Sequence, residues 1–453
     1  MLFSWLLILV LLFTDPCSAV QYPLRLADGW KYDDSYPEPS VSRKGFTLRQ
    51  VYHRGTHDYP SMHRYHDISI KSRGFETLPV VHAVPMHIER LVDRRQKSID
   101  SLLATARSHG QAERLSPDAW TIAALLGPNT TDKSTVIALA KMAYDAYVPD
   151  PSSKEWKSIG PGNHSIFNHS SSFGWDSDGL RGHVFLDETN STMVISLKGT
   201  SMALFDGEGS TRKDKLNDNL FASCCCGQGG HYSWKVVCDC MTSAFTCNNT
   251  CLASSLETKD HYYNAGRELY GNITARYPHI SNVWLTGHSL GGVVASLLGM
   301  TYGVPVMTYE AFPDALAASR LGLPTPPGYH IGQSRFSDTG IYHYGHTADP
   351  VFMGTCNSLL SGCTLVGYAF QSMCHTGKTC IYDTVKDLGW RSSVSSHRIV
   401  SVISDVLEAY DQVPVCEVTS DCEDCINWKF YESDGSENST EEYLPRSTIR
   451  DLA

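Results

Sequence analysis

The sequence predicts an α/β fold with a mostly parallel central sheet. From about residue 117 onward, short apolar runs typical of buried strands alternate with segments whose apolar residues recur at helical spacing. This alternation is the order that builds parallel sheets. A glycine-rich turn, Gly287–Gly291, joins one of the strands directly to a helix. The 453 residues are 42% hydrophobic and 19% charged, which is ample material for a large core.

Apolar spacing predicts the individual elements in order. Helices are expected where apolar residues recur at helical spacing: Arg90–Arg107, Thr135–Tyr147, Glu257–Tyr277, Gly291–Met300 and Ser396–Tyr410. Strands are expected at short apolar runs: Thr192–Leu197, Val283–Thr286, Val304–Tyr309 and Ile341–Tyr344. A cysteine-rich segment at 201–255 interrupts this alternation, and we expect it to be a disulfide-rich, lid-like insertion.

The first 19 residues carry a signal for entry into the secretory pathway. Leu2–Phe13 is apolar apart from Ser4, and Asp15-Pro16 ends the run. Cys17-Ser18-Ala19 then offers the small residues of a cleavage site. The apolar run is shorter than the ~20 residues that span a bilayer. Residues 1–19 are therefore predicted to be a signal peptide or a signal-anchor.

Composition divides the rest of the chain. Residues 20–115 are polar with little periodicity, and we expect a lumenal N-terminal region that packs on or leads into the α/β domain. Residues 116–430 are predicted to form that α/β domain, and the acidic tail at 431–453 is expected to be disordered. The net charge of −11 argues against a nucleic-acid partner, because such partners require a basic surface. No obligate protein partner is evident.

Glycosylation sequons and cysteines both indicate an oxidising lumen. The Asn-X-Ser/Thr sequons are at Asn129, Asn163, Asn168, Asn190, Asn248, Asn272 and Asn438. Without Cys17, fourteen of the fifteen cysteines remain, seven at 224–251 and seven at 356–425. Because seven is odd, complete pairing requires at least one disulfide between the two clusters.

Zinc is the alternative use of two cysteine pairs, Cys238-Asp239-Cys240 and Cys422-Glu-Asp-Cys425. Neither belongs to a set of paired CxxC knuckles, and thiolates compete poorly with oxidation in such a compartment. We therefore expect no metal, and no cofactor motif is evident.

The segment Gly287-His288-Ser289-Leu290-Gly291 matches the G-x-S-x-G nucleophile elbow of α/β-hydrolases. A strand that turns sharply into a helix holds the serine in a strained conformation, and glycines two residues away let the turn close. The serine then lies beside a helix N-terminus, which favours negative charge. An apolar strand precedes this turn and a helix follows it, so the sequence predicts an α/β-hydrolase fold with Ser289 as the nucleophile.

A serine hydroxyl needs a base, and this fold places the acid and then the histidine later in the chain. Asp349 follows the second strand after the elbow and is the favoured acid, with Asp314, after the first such strand, as the alternative. His397, in the loop entering the last helix, is the favoured base, with His375 as the alternative. His288 adjoins the nucleophile, and we interpret it as structural.

An oxyanion hole needs donors aimed at the developing negative charge. The N–H of Leu290, directly after the nucleophile, is one candidate. The second is expected from the loop after the earlier strand, where Thr200 offers a backbone N–H and a hydroxyl. The alternative for Thr200 is an ordinary turn at a strand end.

These residues together resemble the fungal-type triacylglycerol lipases, through Ser-Leu-Lys-Gly-Thr200 and the elbow. More specific segments resemble the vacuolar autophagic-body lipases of fungi, over about residues 45 to 430: His53-Arg-Gly-Thr-His57, Asp214–Leu220, Cys224-Cys-Cys226, Gly345-His-Thr-Ala-Asp-Pro350, Met353-Gly-Thr-Cys356 and Cys374-His-Thr-Gly-Lys378.

The resemblance implies a lipase or phospholipase that hydrolyses ester bonds of membrane phospholipids and triacylglycerols. It implies triad positions matching Ser289, Asp349 and His397, and lysis of autophagic bodies and multivesicular-body vesicles within the vacuole. It also implies a glycosylated single-pass type II protein of the multivesicular-body membrane that reaches the vacuole lumen, and association with phosphoinositides. A cleaved, lumenal form is the alternative, because the apolar segment is short and lacks a charged flank.

Two other functions fit the same sequence. A soluble small-ester carboxylesterase or a peptidase would use the same fold, and liposomes would not increase its turnover. A non-catalytic membrane-binding module would leave Ser289 unlabelled by a fluorophosphonate. An acidic lumen adds a constraint on any of the enzymes, because it protonates a histidine of ordinary pKa, near about 6.5. A histidine base then needs burial or nearby cations to stay active.

Overall fold

A computed structural model gives the fold. It describes residues 31–32, 42–44, 46–54, 64–67, 81–109, 115–148, 153–157, 179–187, 189–201, 211–259, 261–326, 338–419, 422–433 and 441–443. The strands are β1 Lys31–Tyr32, β2 Ser42–Lys44, β3 Phe46–Arg54, β4 Arg64–Asp67, β5 Val81–Leu91, β6 Trp120–Pro128, β7 Leu180–Asp187, β8 Thr192–Leu197, β9 Met241–Ser243, β10 Thr246–Asn248, β11 Asn282–His288, β12 Val306–Tyr309, β13 Ile341–His346, β14 Lys378–Tyr382, β15 Cys416–Val418, β16 Lys429–Glu432 and β17 Glu441–Tyr443. The α-helices are α1 Gln96–His109, α2 Lys133–Asp145, α3 Thr211–Ala222, α4 Asn249–Leu256, α5 Tyr262–Arg276, α6 Leu290–Tyr302, α7 Ala315–Arg320, α8 Gly362–Leu365, α9 Thr384–Leu388 and α10 Ile399–Ser401.

A nine-stranded sheet forms the centre of the fold, in the order β15-β14-β13-β12-β11-β8-β7-β3-β4. Its middle strands, from β8 to β14, are all parallel. The outer strands β15, β7, β3 and β4 join antiparallel. The α/β-hydrolase fold and the parallel sheet centre predicted from the sequence are therefore confirmed. The sheet as a whole is mixed, and the candidate site lies at the carboxyl ends of β8, β11, β12 and β13.

Helices cover both faces of this sheet, and the side chains of the middle strands alternate between two cores. On β8, Ile195 packs in the core that contains Val293 of α6, whereas its neighbour Val194 packs in the core that contains Leu139 of α2. A sheet buried on both faces explains why β8 is largely apolar and does not alternate between apolar and polar residues. Smaller sheets flank it, in the orders β1-β6-β5-β2 and β17-β16-β10-β9.

Several strands were not predicted from the sequence. All eight residues of β7 are buried, but Arg181, His183 and Asp187 hide the apolar pattern. The eleven-residue strand β5 contains Pro85 in a segment that shows little periodicity. Two strands from residues 20–115, β3 and β4, extend the central sheet.

The predicted helix at Ser396–Tyr410 was wrong in type. The chain forms a 3-10 turn at Val394–His397, a single α-helical turn and then a π-helix at Val402–Leu407. Its apolar side chains are still buried, for example Ile403 and Val406. Over so few residues the apolar spacing does not distinguish an α-helix from a π-helix.

Seven disulfides join all fourteen cysteines of residues 224–425. Three lie within the first cluster and three within the second, and Cys224–Cys425 joins the two. The parity prediction is confirmed, and the cysteines considered for zinc are bonded to other cysteines instead. Within the described part of the chain, no helix combines the length and apolar character needed to cross a bilayer. Residues 1–19 lie outside it.

Candidate active site

Ser289 occupies a strained turn at the carboxyl end of β11. Its φ of 54° and ψ of −129° place it in a region that non-glycine residues rarely adopt. A Cβ on Gly287 would lie 2.4 Å from the carbonyl carbon of Gly291, and a Cβ on Gly291 would lie 2.2 Å from the main-chain oxygen of Leu197. Glycine at 287 therefore lets the turn close, and glycine at 291 lets it pack against β8, which is the physical reason for the sequence pattern.

His397 and Asp349 complete a hydrogen-bonded chain from Ser289. Nε2 of His397 lies 2.9 Å from Oγ of Ser289, and Nδ1 lies 2.6 Å from Oδ2 of Asp349. The main-chain N–H of Val351 donates to the other Asp349 oxygen at 2.9 Å. With a proton on Nδ1 held by the carboxylate, Nε2 is left to accept the serine proton. The three residues come from three separate segments at one edge of the sheet.

Asp349 is fully buried, yet it favours the ionised form. Burial alone would raise its pKa, but the adjacent His397 and the hydrogen bonds the carboxylate accepts outweigh burial and lower the pKa below its usual range. A buried carboxylate that stays charged can stabilise the imidazolium formed when His397 takes a proton.

The alternative acid and base lie elsewhere and have other partners. Asp314 accepts hydrogen bonds from the hydroxyl of Ser296 and from the N–H and hydroxyl of Thr376. Nε2 of His375 contacts the main-chain oxygen of Phe352 at 2.9 Å. Asp314 and His375 lie near each other, with His343, in a buried cluster of potential metal ligands. The structure brings neither residue to Ser289.

The loop after β8 packs directly against the elbow. A Cβ on Gly199 would lie 2.3 Å from the main-chain oxygen of His288 and 3.2 Å from Cβ of Ser289. Thr200 follows and lines the same pocket as Ser289. Its hydroxyl donates to Asp218 at 2.7 Å, while Leu290 begins helix α6. Both predicted oxyanion donors are thus placed beside the nucleophile.

A buried ion pair anchors that loop. Nζ of Lys198 lies 3.7 Å from Asp214 of α3 and donates to the main-chain oxygen of Gly199 at 2.9 Å. Asp214 also accepts from the N–H of Ser201 at 2.9 Å and from the hydroxyl of Tyr262 at 2.6 Å. The cysteine-rich insertion, through α3, therefore holds the loop that carries Thr200.

His288 supports the catalytic histidine from behind. Its Nε2 contacts the main-chain oxygen of His397 at 2.8 Å, and its Nδ1 contacts the hydroxyl of Tyr147 at 2.7 Å. Burial, and then the neighbouring His397, lower the pKa of His288 to about 3. A neutral imidazole with both ring nitrogens engaged fits the structural role predicted for it.

Three residues that the sequence reasoning did not single out surround the triad: Tyr147, Asp218 and Glu310. Burial raises the pKa of Asp218 well above its usual range, although the Thr200 hydroxyl opposes this. Asp218 lies on α3, far in sequence from the elbow, and no local pattern indicates its role. Glu310 directly follows β12, and the carboxyl ends of neighbouring parallel strands meet at one edge of the sheet. Its position at the same edge as Asp349 could therefore have been predicted from the sequence.

A cavity of about 610 Å³ opens over Ser289 and His397. This volume is in the range of small-molecule sites. Its apolar lining comes from Val148, Val351, Val366, Tyr368, Phe370, Val394, Ile399 and Val400. An apolar cavity that ends at a serine nucleophile is suited to hold an acyl chain with its carbonyl at Ser289.

The predicted glycosylation sites fall in different surroundings. Asn190 and Asn272 are exposed, while Asn129 and Asn248 are half-buried. The side chain of Asn248 also caps α4 by accepting from the N–H of Cys251. The other sites, Asn163, Asn168 and Asn438, lie outside the described residues.

The fold and the Ser-His-Asp geometry define an α/β-hydrolase site of the serine type. No family model matches the chain. The chain is homologous to a protein of Passalora fulva named "Putative lipase ATG15", with 53% identity over 418 residues. That match covers 89% of this chain and 62% of the relative. A protein of Penicillium rubens with the same name is 51% identical over 411 residues, 87% of this chain and 60% of the relative.

The resemblance indicated by the sequence motifs is confirmed by these two homologues. The chain spans about three fifths of their length. Among solved structures, Lip2 lipase from Yarrowia lipolytica is 18% identical, with a TM-score of 0.28 over 55% of this chain and 77% of that one. A triacylglycerol lipase from Penicillium expansum is 14% identical, with a TM-score of 0.28 over 56% of this chain and 82% of that one.

Proposed function

We propose that the protein is a serine-dependent carboxylic ester hydrolase that acts on lipid esters, both membrane phospholipids and triacylglycerols. One observation carries the proposal: the continuous hydrogen-bonded chain from Asp349 through His397 to Ser289 at a strained strand-to-helix turn. The names of the two homologues, which describe lipases, support the same class of reaction.

In this proposal each group of the site has one step. Oγ of Ser289 attacks the ester carbonyl while Nε2 of His397 takes its proton, and Asp349 stabilises the imidazolium. The N–H groups of Leu290 and Thr200 hold the oxyanion of the tetrahedral intermediate. His397 then gives its proton to the departing alcohol, which leaves an acyl group on Ser289. Water, with its proton taken by His397, releases the fatty acid and restores the serine.

Lipid specificity is supported by an apolar surface beside the cavity. The disulfide Cys356–Cys363 closes a short loop, and the side chains at its tip, Leu359 and Leu360, are 54% and 81% exposed. Leu365, which lies between the cavity-lining residues Cys363 and Val366, is also exposed. Exposed apolar side chains of this kind are typical of sites that contact a membrane or another protein. We propose that this loop meets the lipid surface while a single acyl chain enters the cavity.

The finer aspects of the proposal concern location and access. We propose that the protein acts inside the vacuole on autophagic bodies and multivesicular-body vesicles. The N-terminal segment would attach it to the membrane as a type II protein during delivery. We also propose that the insertion at 201–255 controls access to the cavity, since Asp218 of α3 forms part of its wall. Contact with phosphoinositides would then follow from their presence in the substrate membrane.

The test compares three substrates: phosphatidylcholine liposomes, a trioleoylglycerol emulsion and the soluble ester p-nitrophenyl butyrate. We expect the glycosylated protein to hydrolyse all three, and Ser289→Ala to hydrolyse none. A Leu359→Ser, Leu360→Ser double variant should lose most liposome hydrolysis and keep turnover of the soluble ester. Hydrolysis of the soluble ester alone by the wild-type protein would contradict the lipid assignment and favour a soluble esterase.

A further inference from the structure

Glu310 is a buried carboxyl group directly behind the candidate triad. It follows β12 with a φ of 45°, a conformation unusual for a residue other than glycine. Its N–H donates to the main-chain oxygen of Tyr344 at 2.8 Å, which fixes the backbone here. The side chain is 0% exposed and lies against Asp349. The fold thus holds a second carboxyl beside the acid of the triad at the cost of local strain.

The surroundings of Glu310 do not suit a second negative charge. Within the described part of the chain, neither of its carboxyl oxygens meets hydrogen-bond geometry with a donor. Nε2 of His346 is 3.8 Å from one of these oxygens, but it contacts the main-chain oxygen of Ser396 at 3.2 Å. A buried carboxylate without donors carries a large desolvation cost, whereas a protonated carboxyl beside another carboxylate has an acceptor for its proton.

Charge supports the same conclusion. Burial, and then the negative charge of Asp349, raise the pKa of Glu310 well above its usual range, and the main chain of His346 opposes this only in part. Two adjacent carboxyls cannot both ionise at low cost. The neighbouring Glu310 carboxyl is, after His397, a further cause of the lowered pKa of Asp349. The shared proton therefore stays on Glu310.

We propose that Glu310 is a positioning residue whose carboxyl O–H donates to Asp349 and so fixes the carboxylate that orients His397. The proposal rests on the proposed function, because the positioned group is the acid of that triad. Asp349 would then accept from Val351, His397 and Glu310 together. A carboxylate held by three donors has little freedom to rotate away from the imidazole.

A second consequence concerns pH. The donor on Asp349 withdraws charge from the carboxylate and weakens its attraction for a protonated imidazole. The other titratable groups near the pair include His346 on β13 and His288 on β11, and the cation of Lys198 acts on His288. Burial lowers the pKa of each histidine, which favours the neutral imidazole. The acid limb of the pH–rate profile is therefore the readout in which the loss of Glu310 is expected to appear.

The test uses two substitutions of similar size. Glu310→Gln keeps a donor, its amide N–H, whereas Glu310→Leu keeps none. For p-nitrophenyl butyrate, we expect Glu310→Leu to lower kcat by about 10- to 100-fold, as loss of a hydrogen bond to a charged group does. KM should change little, and the acid limb of kcat/KM should move to higher pH. Glu310→Gln should restore most of kcat. Equal impairment of both variants, or a wild-type profile for Glu310→Leu, would overturn the proposal.

A second measurement does not depend on activity or on the folding of Glu310→Leu. Infrared difference spectra of wild type and Glu310→Gln at neutral pH should show the C=O stretch of a protonated carboxylic acid in the wild type alone. Absence of this difference band would overturn the protonation of Glu310. If the wild-type protein hydrolysed no ester, the proposed function would fail, while the band would still decide the state of Glu310.

Discussion

Replacing Asp349 by Asn is the sharpest test of the assigned triad. The carboxylate of Asp349 lies 2.6 Å from Nδ1 of His397 and is completely buried. An amide there removes the negative charge and favours the tautomer with its proton on Nε2, which lies 2.9 Å from the serine oxygen. That nitrogen can then no longer accept the serine proton. Because the loss of this charge costs about 10⁴-fold in kcat in serine proteases, we expect a similar drop, about 5.4 kcal/mol at ~1.36 kcal/mol per decade.

The assay measures kcat and KM for p-nitrophenyl butyrate, together with labelling by a fluorophosphonate. KM should be nearly unchanged, because Asp349 has no surface in the cavity. Asp314→Asn is the matched control, since it makes the same chemical change in a buried residue that holds Ser296 and Thr376 instead. It should lower stability by about 1–3 kcal/mol and leave kcat near the wild-type value. The reasoning is refuted if Asp349→Asn keeps kcat within about tenfold of wild type while Asp314→Asn does not.

Three further predictions concern the loop, the turn and the disulfides. Thr200→Val should lower kcat by no more than about 10²-fold, because its backbone N–H remains; a loss as large as that of Ser289→Ala would make the hydroxyl the essential donor. Gly291→Ala should abolish fluorophosphonate labelling and lower the melting temperature, because its Cβ would lie 2.2 Å from a main-chain oxygen of β8; an unchanged melting temperature would contradict the close packing. Removal of the disulfide Cys224–Cys425 by alanine should lower the free energy of unfolding in denaturant by up to about 5 kcal/mol, because it closes a separation of 201 residues. Removal of the disulfide at 356–363, with a separation of 7, should cost less.

The strained strand-to-helix turn at Ser289 could be predicted from the sequence because its pattern spans only five residues. Gly287 is required by its contact with Gly291 inside the turn, whereas Gly291 is required by its contact with Leu197 of β8. The strand before the turn and the helix after it are largely apolar. Asp349 and His397 each had a rival of the same type elsewhere in the sequence, Asp314 and His375. The contacts of His397 with Asp349 and with Ser289 distinguish the two from these rivals, and those contacts depend on the tertiary fold.

For the disulfides, too, one feature could be predicted from the sequence and another depends on the tertiary fold. Parity alone required a bond between the two clusters, and Cys224–Cys425 is that bond. Which two cysteines form this bond depends on where the segment after α3 lies relative to the C-terminal segment, and the number of cysteines does not determine that. The bond attaches the segment just after α3, and α3 carries Asp214 and Asp218 to the loop of Thr200.

Glu310 shows a different limit, since an acidic residue between the buried residues Tyr309 and Ala311 conflicts with the apolar pattern directly after β12. Such local conflict is expected at functional sites, where a costly group is retained for what it does to its neighbours. A buried carboxyl whose oxygens meet no donor at hydrogen-bond geometry is least costly when it is protonated, and in the proposal its acceptor is Asp349. A low pH protonates a histidine base, and burial or nearby cations are one means of keeping the imidazole neutral. A neutral carboxyl group that donates to Asp349 is another means, because it weakens the attraction of the Asp349 carboxylate for a protonated imidazole without adding charge to the site.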